Sequence, residues 1–171
     1  MGRKFKSAAA GLISTAVFLT AAAPVAARRI EGTDGPDRLY GTSKADYIYG
    51  YGGSDYLFGF EARDVLRGGE GRDYIRGGSG WDQLYGGKGH DVIWGGYGND
   101  SLYGEGGHDV LGGGPGIDSF RGGFGDDTIY AAGDGKYDSI LCGPDMDTVY
   151  YDTHDIVHSD CEIKILVAGA P

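Results

Sequence analysis

The sequence predicts an all-β fold, a solenoid of short stacked strands, and three observations carry that prediction. From Gly68 to Tyr130 the chain reads GGEGRDYIR, GGSGWDQLY, GGKGHDVIW, GGYGNDSLY, GEGGHDVLG, GGPGIDSFR and GGFGDDTIY, a run of consecutive nine-residue units. Looser copies begin at Gly32, Gly41, Gly50 and Gly59, and the sixth position of every copy is Asp: Asp37, Asp46, Asp55, Asp64, Asp73, Asp82, Asp91, Asp100, Asp109, Asp118 and Asp127. The eighth position is always large and apolar, from Leu39 through Ile75 and Ile93 to Ile129. A fixed period this short is the signature of a β-helical repeat.

Within one unit the last three residues alternate. The eighth side chain points to one face and the seventh and ninth to the other, as in a strand. The Gly residues at the first, second and fourth positions suit a turn too tight for Cβ atoms, with backbone at positive φ. One buried side chain per unit makes a thin core, closed only by stacking turn upon turn.

The pattern G-G-x-G-x-D-x-apolar-x resembles the calcium-binding nonapeptide of the RTX, or haemolysin-type, repeat proteins, and the resemblance covers residues 32–130. It implies a parallel β-roll in which six-residue loops bind calcium, three-residue tails form strands, and two nonapeptides make one turn. The Asp residues then fall into two ladders. One runs Asp37, Asp55, Asp73, Asp91, Asp109, Asp127 and the other Asp46, Asp64, Asp82, Asp100, Asp118.

Stacked strands lie about 4.8 Å apart, so each ladder brings like charges together along its length. A hard cation between successive loops removes that repulsion. Calcium suits the task because it accepts six to eight carboxylate and carbonyl oxygens in a flexible shell. The expected ligands are the sixth-position carboxylates with backbone carbonyls of loop residues such as Gly68, Gly77, Gly86, Gly95, Gly104, Gly113 and Gly122. Asp46 and Asp64 are the weaker candidates, because Lys44 and Ala62 replace Gly at the fourth position of their loops. With so thin a core, metal binding and folding are expected to be one event. A metal-free solenoid, its Asp residues bonded only to loop amides, is the alternative.

In chain order, residues 1–27 read as a signal peptide. Arg3, Lys4 and Lys6 precede the apolar run Ala8–Ala23, and Pro24-Val25-Ala26-Ala27 offers a small-residue cleavage site. The run is short and leads straight into repeats, so no transmembrane span is expected. Residues 28–130 form the repeat β-roll, and residues 131–171 hold degenerate repeats and a C-terminal cap. In that last segment Asp138 with Ile140, Asp147 with Val149, and Asp155 with Val157 continue the pattern out of step. The apolar stretch Ile163–Val167 is expected to cover the open end of the stack. Cys142 and Cys161, the only cysteines, most simply form a disulfide in an exported chain, with free thiols or a metal pair as alternatives.

The formal charge of −10 speaks against a nucleic-acid partner, whose binders carry basic patches. The outward positions of the first ladder are the more apolar. Tyr56, Phe58, Tyr74, Trp94 and Tyr130 make a candidate contact face for a cell-surface or glycan partner, although such residues also stack between neighbouring strands. Ice binding would require regular Thr ladders, and only Thr128 fits. His90 and His108 recur at the fifth position, and His154 and His158 stand in the cap; exposed loop side chains are the simpler account of all four. Asp145-Met146-Asp147 lacks the Gly and Glu that continue an EF-hand, and the Gly-rich segments lack the lysine of a phosphate loop. No nucleophile with a placed base emerges, so no enzyme is expected. A secreted, extracellular calcium-binding protein is the expectation.

Overall fold

The computed structural model describes residues 27–167, so the leader expected over residues 1–27 lies, Ala27 apart, outside the described residues. Two eight-stranded sheets face each other and no helix occurs among the described residues. The odd sheet runs β1 (Arg28–Glu31), β3 (Asp46–Gly52), β5 (Val65–Glu70), β7 (Gln83–Lys88), β9 (Ser101–Gly106), β11 (Ser119–Phe124), β13 (Ser139–Leu141) and β15 (Ile156–Val157). The even sheet runs β2 (Arg38–Tyr40), β4 (Tyr56–Glu61), β6 (Tyr74–Ser79), β8 (Val92–Tyr97), β10 (Val110–Gly112), β12 (Thr128–Tyr130), β14 (Thr148–Tyr151) and β16 (Ile163–Leu166). Consecutive strands lie in opposite sheets and every pairing is parallel. This is the expected β-roll, with two nonapeptides to a turn.

Strand length departs from the expected three residues. β5 to β9 are each six residues long and run on through the first two positions to the third position of the next unit. The cause is the alternation itself. Asp at the sixth position, the apolar eighth residue and the following Gly are successive inward positions of one strand, as the pattern iBeBie over Tyr74–Ser79 shows. The second Gly then pairs across strands, Gly69 with Gly87 and Gly78 with Gly96.

The core is one side chain wide. Ile48, Leu57, Leu66, Ile75, Leu84, Ile93, Leu102, Leu111, Phe120 and Ile129 are each no more than 1% exposed, and Ile140 and Val149 continue the column. Ile30 and Leu39 are half-buried where the column ends in the first turn. Close stacking depends on Gly at positions no side chain could share. A Cβ on Gly71 (φ +127) or Gly89 (φ +142) would run into the carbonyl of the fourth-position Gly one turn before. Several other residues at such places also take positive φ: Tyr51, Phe60 and Glu105 at the second position, Ala62 and Asp145 at the fourth.

Beyond Asp127 the turn length changes. The residue separation between stacked turns is 18 in the repeats, then 20, 17 and 15 through the cap. The two inserted residues are absorbed in the Ala131–Tyr137 loop, and strand pairing resumes at Ser119↔Ser139. The cap holds the Cys142–Cys161 disulfide, both residues buried. The last strand is not the apolar lid expected of it. β16 pairs with β14 so that Lys164 aligns with the core residue Val149, while Ile163 and Ile165 align with outward Thr148 and Tyr150. All four residues of β16 are exposed. A lysine at the inward register of an edge strand ends the stack by charge rather than by cover.

Candidate metal centre

The sixth-position Asp residues form two continuous columns inside the edges of the roll. In each, Oδ1 accepts the backbone N–H of the equivalent residue one turn earlier: Asp55 from Asp37, Asp73 from Asp55, Asp91 from Asp73, and Asp100 from Asp82, all at 2.8 Å. The series extends past the repeats. Asp138 and Asp147 accept from Asp118 and Asp127 at 2.8 Å, Asp155 from Asp138 at 3.1 Å, and Glu162 takes the same place over Asp147 at 3.0 Å.

The other oxygen is left over. Oδ2 of Asp55, Asp64, Asp73, Asp82, Asp91, Asp100, Asp109, Asp118, Asp127, Asp138 and Asp147 is buried with no hydrogen-bond partner. Asp37 and Asp46 differ, because each has a Thr at the second position of its loop. Thr33 and Thr42 donate both N–H and Oγ1 to Oδ2 of Asp37 and Asp46 respectively, at 2.6 and 2.9 Å. Asp37, grouped by sequence with the stronger sites, is thus already satisfied, whereas Asp64, ranked among the weaker, has the bare oxygen. Asp138 and Asp147, read from the sequence as degenerate repeats and not counted among the ligands, are full members of the columns.

From Asp55 to Asp127 each bare oxygen faces a cradle shaped by the first Gly of its own unit. A Cβ on Gly68, Gly77, Gly86, Gly95, Gly104, Gly113 or Gly122 would meet Oδ2 of the Asp five residues ahead. These are the glycines whose carbonyls the sequence suggested as ligands. That of Gly113 already accepts the N–H of Gly96 at 2.8 Å. The fourth-position carbonyls of Gly53, Gly71, Gly80, Gly89, Gly98 and Gly107 take no loop N–H among the described residues and offer the freer lone pairs.

Unpaired buried carboxylates are electrostatically expensive. Desolvation pushes Asp82 and Asp91 up to about 7, and Asp118 and Asp127 to about 8, with repulsion from neighbours on the ladder adding to it. Asp64 rises to about 7 for the same reasons, so it behaves as a full member of the column.

The donor set consists of oxygen alone. Among the described residues the only three potential metal-binding side chains with atoms within 4.8 Å of one another are Cys142, Asp160 and Cys161, and the two cysteines are bonded to each other. Each gap between turns therefore supplies at most two ladder carboxylates and must draw its remaining ligands from backbone carbonyls. A large, hard cation with a flexible oxygen shell fits that description; a tetrahedral nitrogen and sulfur metal does not.

The histidines do other things. His90 and His108 stack at 5.0 Å, and their Nδ1 atoms accept the N–H groups of His108 and Asp126 at 2.8 and 2.9 Å. That places the ring proton on Nε2 and leaves no free lone pair for a transition metal. His154 and His158 lie against Asp152 and Asp160 at 3.2 and 3.0 Å.

The aromatic residues of the even sheet are largely one another's partners. Tyr40 stacks on Phe58 at 5.3 Å, Tyr56 packs at a tilt against Tyr74 at 5.9 Å, and Trp94 reaches across Gly112 to Tyr130 at 6.3 Å. Tyr56, Trp94 and Tyr130 remain partly open to solvent. Among the described residues no helix is long and apolar enough to cross a membrane.

No curated protein matches the chain. The family described as RTX calcium-binding nonapeptide repeat (4 copies) matches residues 31–59, 58–93, 77–111, 89–120 and 112–134. Those segments span the two Asp columns from Asp37 to Asp127 and the Gly cradles that face them. The chain belongs to the RTX calcium-binding nonapeptide repeat family.

Proposed function

We propose that this protein is a secreted, non-catalytic calcium-binding β-roll that folds as calcium enters the gaps between its turns. The observation that carries this reading is the column of buried Oδ2 atoms without partners. Native proteins pair nearly all their buried polar atoms, and a whole series left bare at one repeated position calls for a shared counter-ion. Asp55 to Asp127 supply the carboxylates, and fourth-position carbonyls complete each shell. The first turn, with Asp37 and Asp46 satisfied by Thr33 and Thr42, serves as a metal-free start.

Export is supported by the basic and apolar leader and by a disulfide, which persists in oxidising compartments. Calcium there acts as a structural cofactor: without it, ionised carboxylates repel along each column, and with it the thin core closes. Extracellular calcium modules bind at about 10⁻⁴–10⁻³ M, so the folded fraction follows the calcium outside the cell. A glycan partner on the even sheet has less support, since Tyr40, Phe58, Tyr56 and Tyr74 already pack against one another.

Limited proteolysis of the oxidised chain tests the proposal. In chelator the repeat segment is expected to be cut throughout, and in calcium to survive intact. Equal resistance in both media would refute calcium-coupled folding.

A further inference from the structure

The outer face of the odd sheet is grooved along the stacking direction. Two hollows, of about 460 Å³ and about 250 Å³, meet at Glu105, which lines both. Their floor is the second-position column Gly69, Gly87, Glu105, Gly123 and Gly143, which crosses five turns, about 20 Å. One wall is held in place by its own contacts: Arg67 lies over Tyr85 at 4.2 Å, and Tyr85 stacks on Tyr103 at 4.7 Å. The larger hollow also contains Phe124, 71% exposed and the most open of the large apolar side chains among the described residues. Glu105 breaks the repeat. It is the only residue other than Gly at the second position of the near-consensus units, and it is held at φ +74. A Cβ on either neighbour in the column, Gly87 or Gly123, would meet the carbonyl of the turn before, so a side chain at this place is costly. Its carboxylate has no hydrogen-bond or ion-pair partner among the described residues, and neither has the Arg121 guanidinium in the same hollow.

We propose that this groove binds a neutral oligosaccharide, with Glu105 and Arg121 as its central polar contacts. Charge decides the class of ligand. Arg67, Lys88 and Arg121 are balanced by Glu70, Glu105 and Asp160, so in a chain of formal charge −10 the groove itself carries none. A charged ligand gains little from such a lining. A row of hydroxyls can donate to its carboxylates and accept from its guanidiniums. The Phe124 ring offers an apolar surface to the C–H face of a sugar, and the larger hollow has the size of a small-ligand site. An extended peptide fits less well. The floor residues already pair with one another, Gly69↔Gly87, Gly87↔Glu105 and Glu105↔Gly123, so no strand edge is open for a peptide to join. The groove lies on the outside of the sheet, away from the buried Asp columns, and its ligand requires only that the roll be folded.

Affinity electrophoresis of the full oxidised chain in calcium tests this, with native gels containing dextran, a soluble cellulose ether, galactomannan or gelatin. The wild type is expected to be retarded by at least one of the three neutral polysaccharides. Glu105→Gly removes the carboxylate and restores the repeat pattern. It should keep or raise the urea midpoint of unfolding while weakening retention about tenfold. Arg121→Gln should weaken retention comparably, and Trp94→Ala, on the even sheet, should leave it unchanged; circular dichroism in the same buffer checks that each variant folds. Mobility unaffected by every polysaccharide, or retardation undiminished in Glu105→Gly, overturns the proposal. Retardation by gelatin alone also overturns it, in favour of an extended peptide.

Discussion

Replacing Asp91 by Asn should change stability with opposite sign in chelator and in calcium. Asp91 is 1% exposed, its Oδ1 holds the N–H of Asp73, its Oδ2 is bare, and burial raises its carboxyl from 3.8 to about 7. Because the folded pKa lies above the unfolded one, the folded state holds the proton more tightly. The associated stability is full below the unfolded pKa and is lost as pH rises through the folded one. A shift of this size corresponds to about 4 kcal/mol against the metal-free fold once the group is ionised. Asn has the same shape, keeps the bond to Asp73 and never ionises, so in chelator above that pKa the variant should regain about 2–3 kcal/mol after the desolvation of its amide. In calcium it removes a ligand shared by the gaps toward Asp73 and Asp109. A tenfold loss at each is worth about 3 kcal/mol in all. Urea unfolding followed by far-UV circular dichroism in both media reads the two effects. A change of the same sign in both would refute the claim that the bare oxygen serves a cation.

Further consequences concern the columns and the ends. With Asp82, Asp91, Asp118 and Asp127 raised to between about 7 and about 8, the metal-free chain should gain β-structure as pH falls from the folded toward the unfolded pKa values, and calcium uptake should release protons, measurable by pH-stat. Gly86→Ala places a Cβ against Asp91 Oδ2 and 2.8 Å from the Gly104 carbonyl. It should cost about 1–3 kcal/mol in calcium, whereas Gly35→Ala, with only Thr33 Oγ1 at 3.9 Å, should stay within about 0.5 kcal/mol in the same urea assay. Lys164→Leu restores an apolar side chain at the register of Val149. Sedimentation velocity should then show concentration-dependent end-to-end association that the wild type lacks.

What the sequence reveals is what the period repeats. The sixth-position Asp and eighth-position apolar residues recur without a miss and predict the stacked strands and the one-residue core; the two sheets and two carboxylate columns follow from the family resemblance that those residues carry. The exceptions arise where a neighbour changes the role of a repeated residue. Asp37 matches its ladder in spacing, yet Thr33 beside it supplies the hydrogen bonds that other loops lack. Ala62 tolerates positive φ (73°), so Asp64 keeps a normal loop despite losing its Gly. In the cap the insertions disguise the register, and only the hydrogen bonding and backbone pairing show that Glu162 succeeds Asp147 or that the exposed Lys164 aligns with the core residue Val149. Strand length was underestimated because Gly, with no side chain to display alternation, conceals that the strand continues through it.

The central claim is that a cation between carboxylate columns holds the roll together. Far-UV circular dichroism of the oxidised chain, titrated first with calcium and then with magnesium from a chelated start, tests it most directly. Magnesium demands near-octahedral geometry and dehydrates reluctantly, so the account predicts a cooperative gain of β signal with calcium and little with magnesium. A chain already folded in chelator at neutral pH, and unchanged by calcium, would contradict it.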